Sequence, residues 1–343
     1  MPIGNIRITW RRSGLALRTR VTERLGIEHP VVLGGMGGGT SPELVAAVSE
    51  AGGLGIQGGV GRPPEVLASL AADIRARTQK PFGVNLLLFL AAPEQREAVC
   101  ALAPPVFSTA WPVPEDDLQS LFERAHAAGS LVMHMVNGVP EALRAAEAGA
   151  DLIVAQGTEG GGHVALISTL VLTPMVVRAV APVPVLAAGG IADGAGLAAA
   201  LMLGAEGVLM GTRFLATPES PWPASFKQAL LDSDGHDTLL SEIPDTAKGT
   251  LWPGAYDRVR RNRLIEEWLG RENEVRRHRA AIATRISEAR EQDDADNGEL
   301  NFGQVAGLID AITPAGEIVR RVVADAEQVL TARRQVVIDT SPT

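Results

Sequence analysis

The sequence predicts an α/β protein, a (β/α)8 TIM barrel with an inserted helical subdomain, and three observations carry that expectation. Eight short runs rich in Val, Leu and Ile alternate with amphipathic segments rich in Ala, Leu and Glu, the pattern of a parallel sheet covered by helices. The runs begin roughly every twenty to thirty residues, and a regular count of eight favours a closed barrel over an open doubly wound sheet. Glycine pairs and triplets stand at the ends of the later runs, where a barrel carries its functional loops.

In chain order, the first twenty residues hold Arg7, Arg11, Arg12, Arg18 and Arg20 without an acidic residue. No apolar stretch follows them, so residues 1–20 are expected to form a flexible extension and not a secretory signal. Strands are then expected at 31–35, 54–58, 82–88, 106–110, 131–136, 152–156, 183–188 and 208–212. Helical patterning follows most of them, as at 41–51, 64–77, 93–103, 140–148 and 193–203. The barrel is therefore assigned to 21–219 and 302–336, the last part returning as a closing helix over 314–334. Between them, strand periodicity lapses and charged segments at 256–269 and 271–290 read as helices. Residues 220–301 are expected to form a helical subdomain on the substrate side.

Composition bounds the function. Of 343 residues, 46% are hydrophobic but only 4% aromatic, which suits Ala/Leu helices packed on aliphatic strands. A formal charge of −9 repels nucleic acid and anionic membranes, so neither is an expected partner. No apolar run reaches the ~18 residues that cross a bilayer. The single cysteine, Cys100, excludes an internal disulfide and is expected to be buried and inert in a reducing, cytoplasmic setting. His, Cys and Asp show no ligand spacing for a metal.

The chemistry concentrates in Gln156-Gly157-Thr158-Glu159-Gly160-Gly161-Gly162-His163, where an imidazole follows a turn with almost no side-chain bulk. Ala188-Gly189-Gly190 and Gly211-Thr212 end the seventh and eighth expected strands. Together they offer backbone N–H groups and a hydroxyl as a cradle for one phosphate. The loop Gly34-Gly35-Met36-Gly37-Gly38-Gly39 lacks the Lys of a P-loop and is expected to lie flat against a ring system. His163 is the expected functional histidine. His134, inside the fifth strand, is either a barrel-end or a core residue, and His29, His126, His236 and His278 are expected at the surface.

The chain resembles the nitronate monooxygenase (2-nitropropane dioxygenase-like) family of FMN-dependent barrels, a group that includes FMN-dependent enoyl-acyl-carrier-protein reductases and some NADH:quinone reductases. The resemblance rests on Gly26-Ile27-Glu28-His29-Pro30, Ala51-Gly52-Gly53-Leu54-Gly55, Pro81-Phe82-Gly83-Val84-Asn85, Ala155 through His163, Ala187 through Gly194, Leu203 through Gly207 and Met210-Gly211-Thr212-Arg213-Phe214. It runs from about Val21 to Pro218 and resumes near Asn301. It implies FMN as cofactor, with the phosphate at Ala188, Gly189, Gly190, Gly211 and Thr212. It also implies ring contacts from Gly35, Met36, Gly37 and Asn85, with Met135, Gln156, Gly161 and Gly162 nearby, and His163 as the catalytic histidine. Two departures stand out. Met135 occupies a place where some members carry a lysine, and Val164-Ala165-Leu166-Ile167 replaces the Arg-Gly or Thr-Gly continuation of many nitronate oxidisers.

A flavin supplies electron transfer, and the protein must place a carbon beside it and manage one proton. The resemblance thus implies a small-molecule substrate. The first expectation is oxidative denitrification of an alkyl nitronate with O2, with His163 as base or hydrogen-bond donor. The alternative is NAD(P)H-dependent reduction of an enoyl thioester or quinone. A flavin-binding protein without turnover is a third reading, and a homodimer is compatible with each.

Overall fold

The computed structural model describes residues 17–337, with side chains through residue 332. Most of the arginine-rich stretch, residues 1–16, therefore lies outside the described residues. Its last part does not behave as a loose extension. Thr19 caps the helix Arg20–Leu25, its hydroxyl donates to the Glu206 carbonyl at 2.7 Å, and Arg20 Nε donates to the Glu206 carboxylate at 2.8 Å. Val21 and Leu25 of this helix are buried with the inner residues of the barrel strands.

Strands β1 (Val31–Leu33), β2 (Leu54–Gly58), β3 (Phe82–Leu87), β4 (Val106–Ala110), β5 (Leu131–Val136), β6 (Leu152–Gln156), β8 (Val185–Ala188) and β9 (Val208–Met210) form a closed parallel barrel in that order. Closure is direct, with Val31 opposite Val208 and Leu33 opposite Met210. Alternation sorts the side chains into two cores. Val32, Leu54, Ile56, Met133, Val154 and Leu186 fill the barrel, while Val31, Leu33, Val84, Phe107, Val132 and Ile153 face the helices. Burying each of these large aliphatic side chains is worth about 1.5–3 kcal/mol. Among the described residues, no helix is long and apolar enough to cross a membrane.

A second sheet departs from the expectation. Strands β7 (Gly162–Val164), β10 (Thr238–Ser241) and β11 (Tyr256–Arg260) pair antiparallel in the order β10, β11, β7. The helix expected over 256–269 is thus a strand followed by the short helix Arg263–Trp268, and 220–301 is not wholly helical. The charges of β11 hid it. Asp257 and Arg258 are buried, Asn301 Nδ2 donates to the Asp257 carboxylate, and Arg258 Nε donates to the Thr158 carbonyl at 2.9 Å. Long-range partners supply what a local reading expects from water. The helix expected over 271–290 is present as Glu272–Glu291.

His134 belongs to the core. It lies on β5 between Met133, buried in the barrel interior, and the partly buried Met135, and points outward, against Phe122 of the helix Leu118–Ala127. Its Nδ1 is 2.7 Å from Thr109 Oγ1, while its Nε2 has no hydrogen-bond partner. Burial, with Arg144 adding to it, depresses its pKa from 6.5 to about 3. The folded state therefore refuses a proton that the unfolded chain binds below pH 6.5, and stability falls as pH drops through the window between the two values. Between pH 7 and pH 5 this loss should be about 2 kcal/mol. Urea unfolding of the wild type and His134→Gln at both pH values checks it; equal losses in the two proteins would contradict this account.

Candidate active site

The carboxyl ends of the barrel strands, β7 and residues such as Lys248, Trp252 and Glu299 line a cavity of about 520 Å³, a size ordinary for cofactor and ligand sites. Every residue expected at the site lies in its wall. Gly35, Met36 and Gly37 follow β1, Asn85 is on β3, Met135 on β5 and Gln156 ends β6. Gly161, Gly162 and His163 enter from β7, Ala188, Gly189 and Gly190 from the end of β8, and Gly211 and Thr212 from the turn after β9.

Local packing explains these positions. Gly35 lets the backbone meet β3, since a Cβ there would stand 2.5 Å from the Asn85 Cβ. Asn85 Nδ2 donates to Ser108 Oγ at 3.1 Å. The loop after β1 is held from outside by Arg62 Nη2, which donates to the Gly37 carbonyl at 3.2 Å, and by Arg290 Nη2, which donates to the Gly38 carbonyl at 2.6 Å. Gln156 Oε1 accepts from Asn137 Nδ2 at 3.0 Å, and the Gln156 amide nitrogen has no acceptor among the described residues. Gly189 and Gly190 turn the chain with φ of 94° and 70°, values that side-chain-bearing residues avoid. The backbone N–H groups of Gly190 and Gly211 likewise find no acceptor among the described residues. Thr169 joins the two neighbouring loops: its N–H donates to Glu159 at 2.9 Å, and its Oγ1 is 2.9 Å from the Gly189 carbonyl oxygen. A flat glycine-lined wall, a free side-chain amide and unspent N–H groups at a two-glycine turn fit a flavin carrying one phosphate.

His163 is the oriented group of the cavity. Its Nε2 is 3.1 and 3.0 Å from the two carboxylate oxygens of Asp245, and its ring is stacked on Trp252, centroids 3.3 Å apart and planes within 8°. Asp245 is on the helix Ile243–Lys248 and Trp252 on the loop after it. Trp252 in turn meets Phe89 and, edge-on, Trp111, whose backbone holds an unusual φ of 54°. Across the ladder from His163 stands Asp257, and Asn301 Nδ2 donates to Asp257 at 2.8 Å and to Glu299 at 3.3 Å. Lys248 pairs with Glu299. Burial, reinforced by Glu299 and Asp245, pushes the Asp257 carboxyl well up. Burial opposes ionisation of Glu299 too, but Lys248 and Asn301 outweigh it and hold that carboxyl below its usual range.

Lys248, Glu299, Asn301, Trp111 and Trp252 line the cavity, and none was identified from sequence. Four of them come from 249–301 or its border, up to 138 positions from His163 in the chain. No spacing rule connects such residues. Trp252 carried the one local hint, a tryptophan beside Pro253 and Gly254 in a chain poor in aromatics.

A closed parallel barrel with glycine turns after its last two strands and one oriented imidazole at its mouth is the architecture of a TIM-barrel enzyme. The chain belongs to the nitronate monooxygenase family, whose model matches residues 18–106 and 97–325, and it is a flavin-dependent oxidoreductase. Relatives within this similarity differ in substrate. The chain is 40% identical, over 74% of its length and 69% of the relative's, to a (3aS,4S,5R,7aS)-5-hydroxy-7a-methyl-1-oxo-octahydro-1H-indene-4-carboxyl-CoA dehydrogenase of Mycobacterium tuberculosis. FabK from Thermotoga maritima superposes with a TM-score of 0.81 at 33% identity, covering 93% of this chain and 99% of that one. A nitroalkane oxidase from Streptomyces ansochromogenes gives 0.78 at 28% identity, covering 92% and 99%.

Proposed function

We propose that this chain uses FMN to interconvert saturated and unsaturated forms of an acyl thioester, with His163 exchanging the proton at the carbon beside the carbonyl. The observation that carries this reading is the setting of His163. One face of its ring stacks on Trp252, which Trp111 and Phe89 back, and the two cations of the cavity wall are already engaged, Lys248 with Glu299 and Arg290 with the Gly38 carbonyl. Such a site favours a neutral carbon acid with an apolar body over a small anion. The similarity to a dehydrogenase of a bulky acyl-CoA supports the same class.

In this reading Gly190, Gly211 and Thr212 hold the FMN phosphate, the 34–39 loop and Asn85 lie along the rings, and Gln156 donates to their polar edge. A bound flavin would supply a two-electron acceptor or donor. Trp111 and Trp252 cover the acyl body, whose burial is worth about 0.8 kcal/mol per CH₂ and excludes water from the proton transfer. His163 takes the proton in the oxidative direction and returns it in the reductive one. We further propose that 220–301 forms the substrate side of the cavity, since it supplies Asp245, Trp252 and Glu299, and that the enzyme works in the cytoplasm.

The second reading, oxidation of an alkyl nitronate with O2, is supported by the family match and by the similarity to a nitroalkane oxidase. Anaerobic stopped-flow spectra separate the two. Bleaching of the flavin by NAD(P)H followed by reoxidation with crotonyl-CoA is the expected result. Fast bleaching by propyl-2-nitronate with no response to NAD(P)H or acyl thioesters would replace the first reading with the second.

A further inference from the structure

We propose that Asp245 is the positioning residue of this site: its carboxylate holds the His163 proton on Nε2 and leaves Nδ1 as the atom that exchanges a proton with substrate. The proposal rests on the reading of His163 as the proton-transferring group. It assigns that role to one nitrogen and gives the reason for its tautomer.

Both Asp245 oxygens lie within hydrogen-bond reach of Nε2, and both side chains are largely buried, 10% exposed for Asp245 and 13% for His163. Among the described residues, the Asp245 carboxylate has no hydrogen-bond partner other than His163. A carboxylate accepts only, so Nε2 must carry the hydrogen and Nδ1 must present its lone pair. The ring has little freedom to do otherwise. Trp252 fixes its plane, and rotation by half a turn within that plane would set a ring carbon against the carboxylate.

The surrounding charges leave Asp245 to this task. Asp257, opposite His163 in the ladder, accepts from Asn301 and has no hydrogen bond to the imidazole, and burial pushes its carboxyl up. Lys248 shares the helix of Asp245 but pairs with Glu299. An imidazolium forming as substrate is deprotonated therefore faces the Asp245 carboxylate at hydrogen-bond distance, the arrangement that stabilises the charged ring.

The test compares Asp245→Asn, Asp245→Glu and His163→Asn in the flavin-loaded enzyme with the crotonyl-CoA assay. Asp245→Asn should lower kcat by on the order of 10²-fold or more with little change in KM, as expected when an orienting carboxylate becomes an amide. Without the negative charge the imidazole protonates less readily, so the acidic limb of the kcat profile should move to lower pH. Asp245→Glu, which keeps the charge, should recover part of the rate. In the flavin-free protein labelled with ¹⁵N-histidine, the His163 resonances, assigned by their loss in His163→Asn, should report hydrogen on Nε2 in the wild type and a shift toward Nδ1 in Asp245→Asn. If His163→Asn is inactive while both Asp245 variants keep the wild-type rate, pH profile and tautomer, Asp245 only ties the helix to β7 and the proposal fails alone. A wild-type rate in His163→Asn removes the underlying reading and the proposal with it. Should Asp245→Asn not fold, the wild-type tautomer and the Asp245→Glu profile still decide.

Discussion

Replacing His163 by asparagine is expected to leave flavin bound and to reduce turnover by on the order of 10²–10⁴-fold, the usual contribution of a positioned acid or base. That corresponds to about 3–5 kcal/mol of barrier. The two effects separate because the residues assigned to the cofactor stand on β3, at the end of β6 and on the loops after β1, β8 and β9, whereas His163 is on β7 and is held by Asp245 and Trp252 of the 220–301 region. An asparagine is polar and smaller, so it creates no clash and leaves no charge unpaired except at Asp245. The checks are the visible flavin spectrum, which should stay near native, and single-turnover rates with crotonyl-CoA. A rate within a few-fold of wild type would show that the imidazole serves only to tie β7 to the helix Ile243–Lys248.

Replacing Gly211 by leucine is expected to weaken flavin binding by about 10- to 100-fold, the scale of forcing a side chain into filled space. Gly211 is the better test of the cradle than Gly190. At Gly190 the φ of 70° would strain any side chain, and its Cβ would press on Glu159, so folding and binding would fail together. Gly211 has φ of −111°, and a Cβ there meets only Met36 Sδ, at 3.3 Å, itself part of the cavity wall. The side chain therefore grows into the space proposed for the cofactor and not into the core. Fluorescence titration of the stripped protein with FMN measures the effect; an unchanged Kd would move the phosphate away from the loop after β9.

The barrel was readable because its signal is local. Leu54–Gly58, Val106–Ala110, Leu131–Val136 and Leu152–Gln156 are short, mostly apolar runs bounded by helices of different period, and their limits agree with the sequence reading. The strands β1, β3 and β9 end earlier than expected, because their last residues leave the ladder to enter the loops after them, and β8 starts two residues later than expected. The strand β11 was not readable. Its Tyr256, Asp257, Arg258 and Arg260 look like a solvated helix, and only burial against Asn301, Thr158 and Asp237 makes a strand of them.

The glycines show the same division. That Gly157 and Gly161 sit in a turn is plain from the sequence, but the reason for each is tertiary. A Cβ on Gly157 would fall 2.0 Å from Thr169 Oγ1, and one on Gly161 would fall 2.5 Å from the backbone of Phe302. Gly161 thus makes room for the returning chain as well as lining the cavity.

By itself the sequence determined the barrel and that Gly190, Gly211 and His163 stand at the ends or loops of its strands, because strand period and turn chemistry are properties of adjacent residues. Only the tertiary structure decided what governs His163. Asp245 lies 82 positions away, and Trp252 further still. Their value depends on water being excluded around them: in solution a carboxylate and an imidazole that far apart in the chain have no reason to meet, and packing of β7 against β11 supplies it.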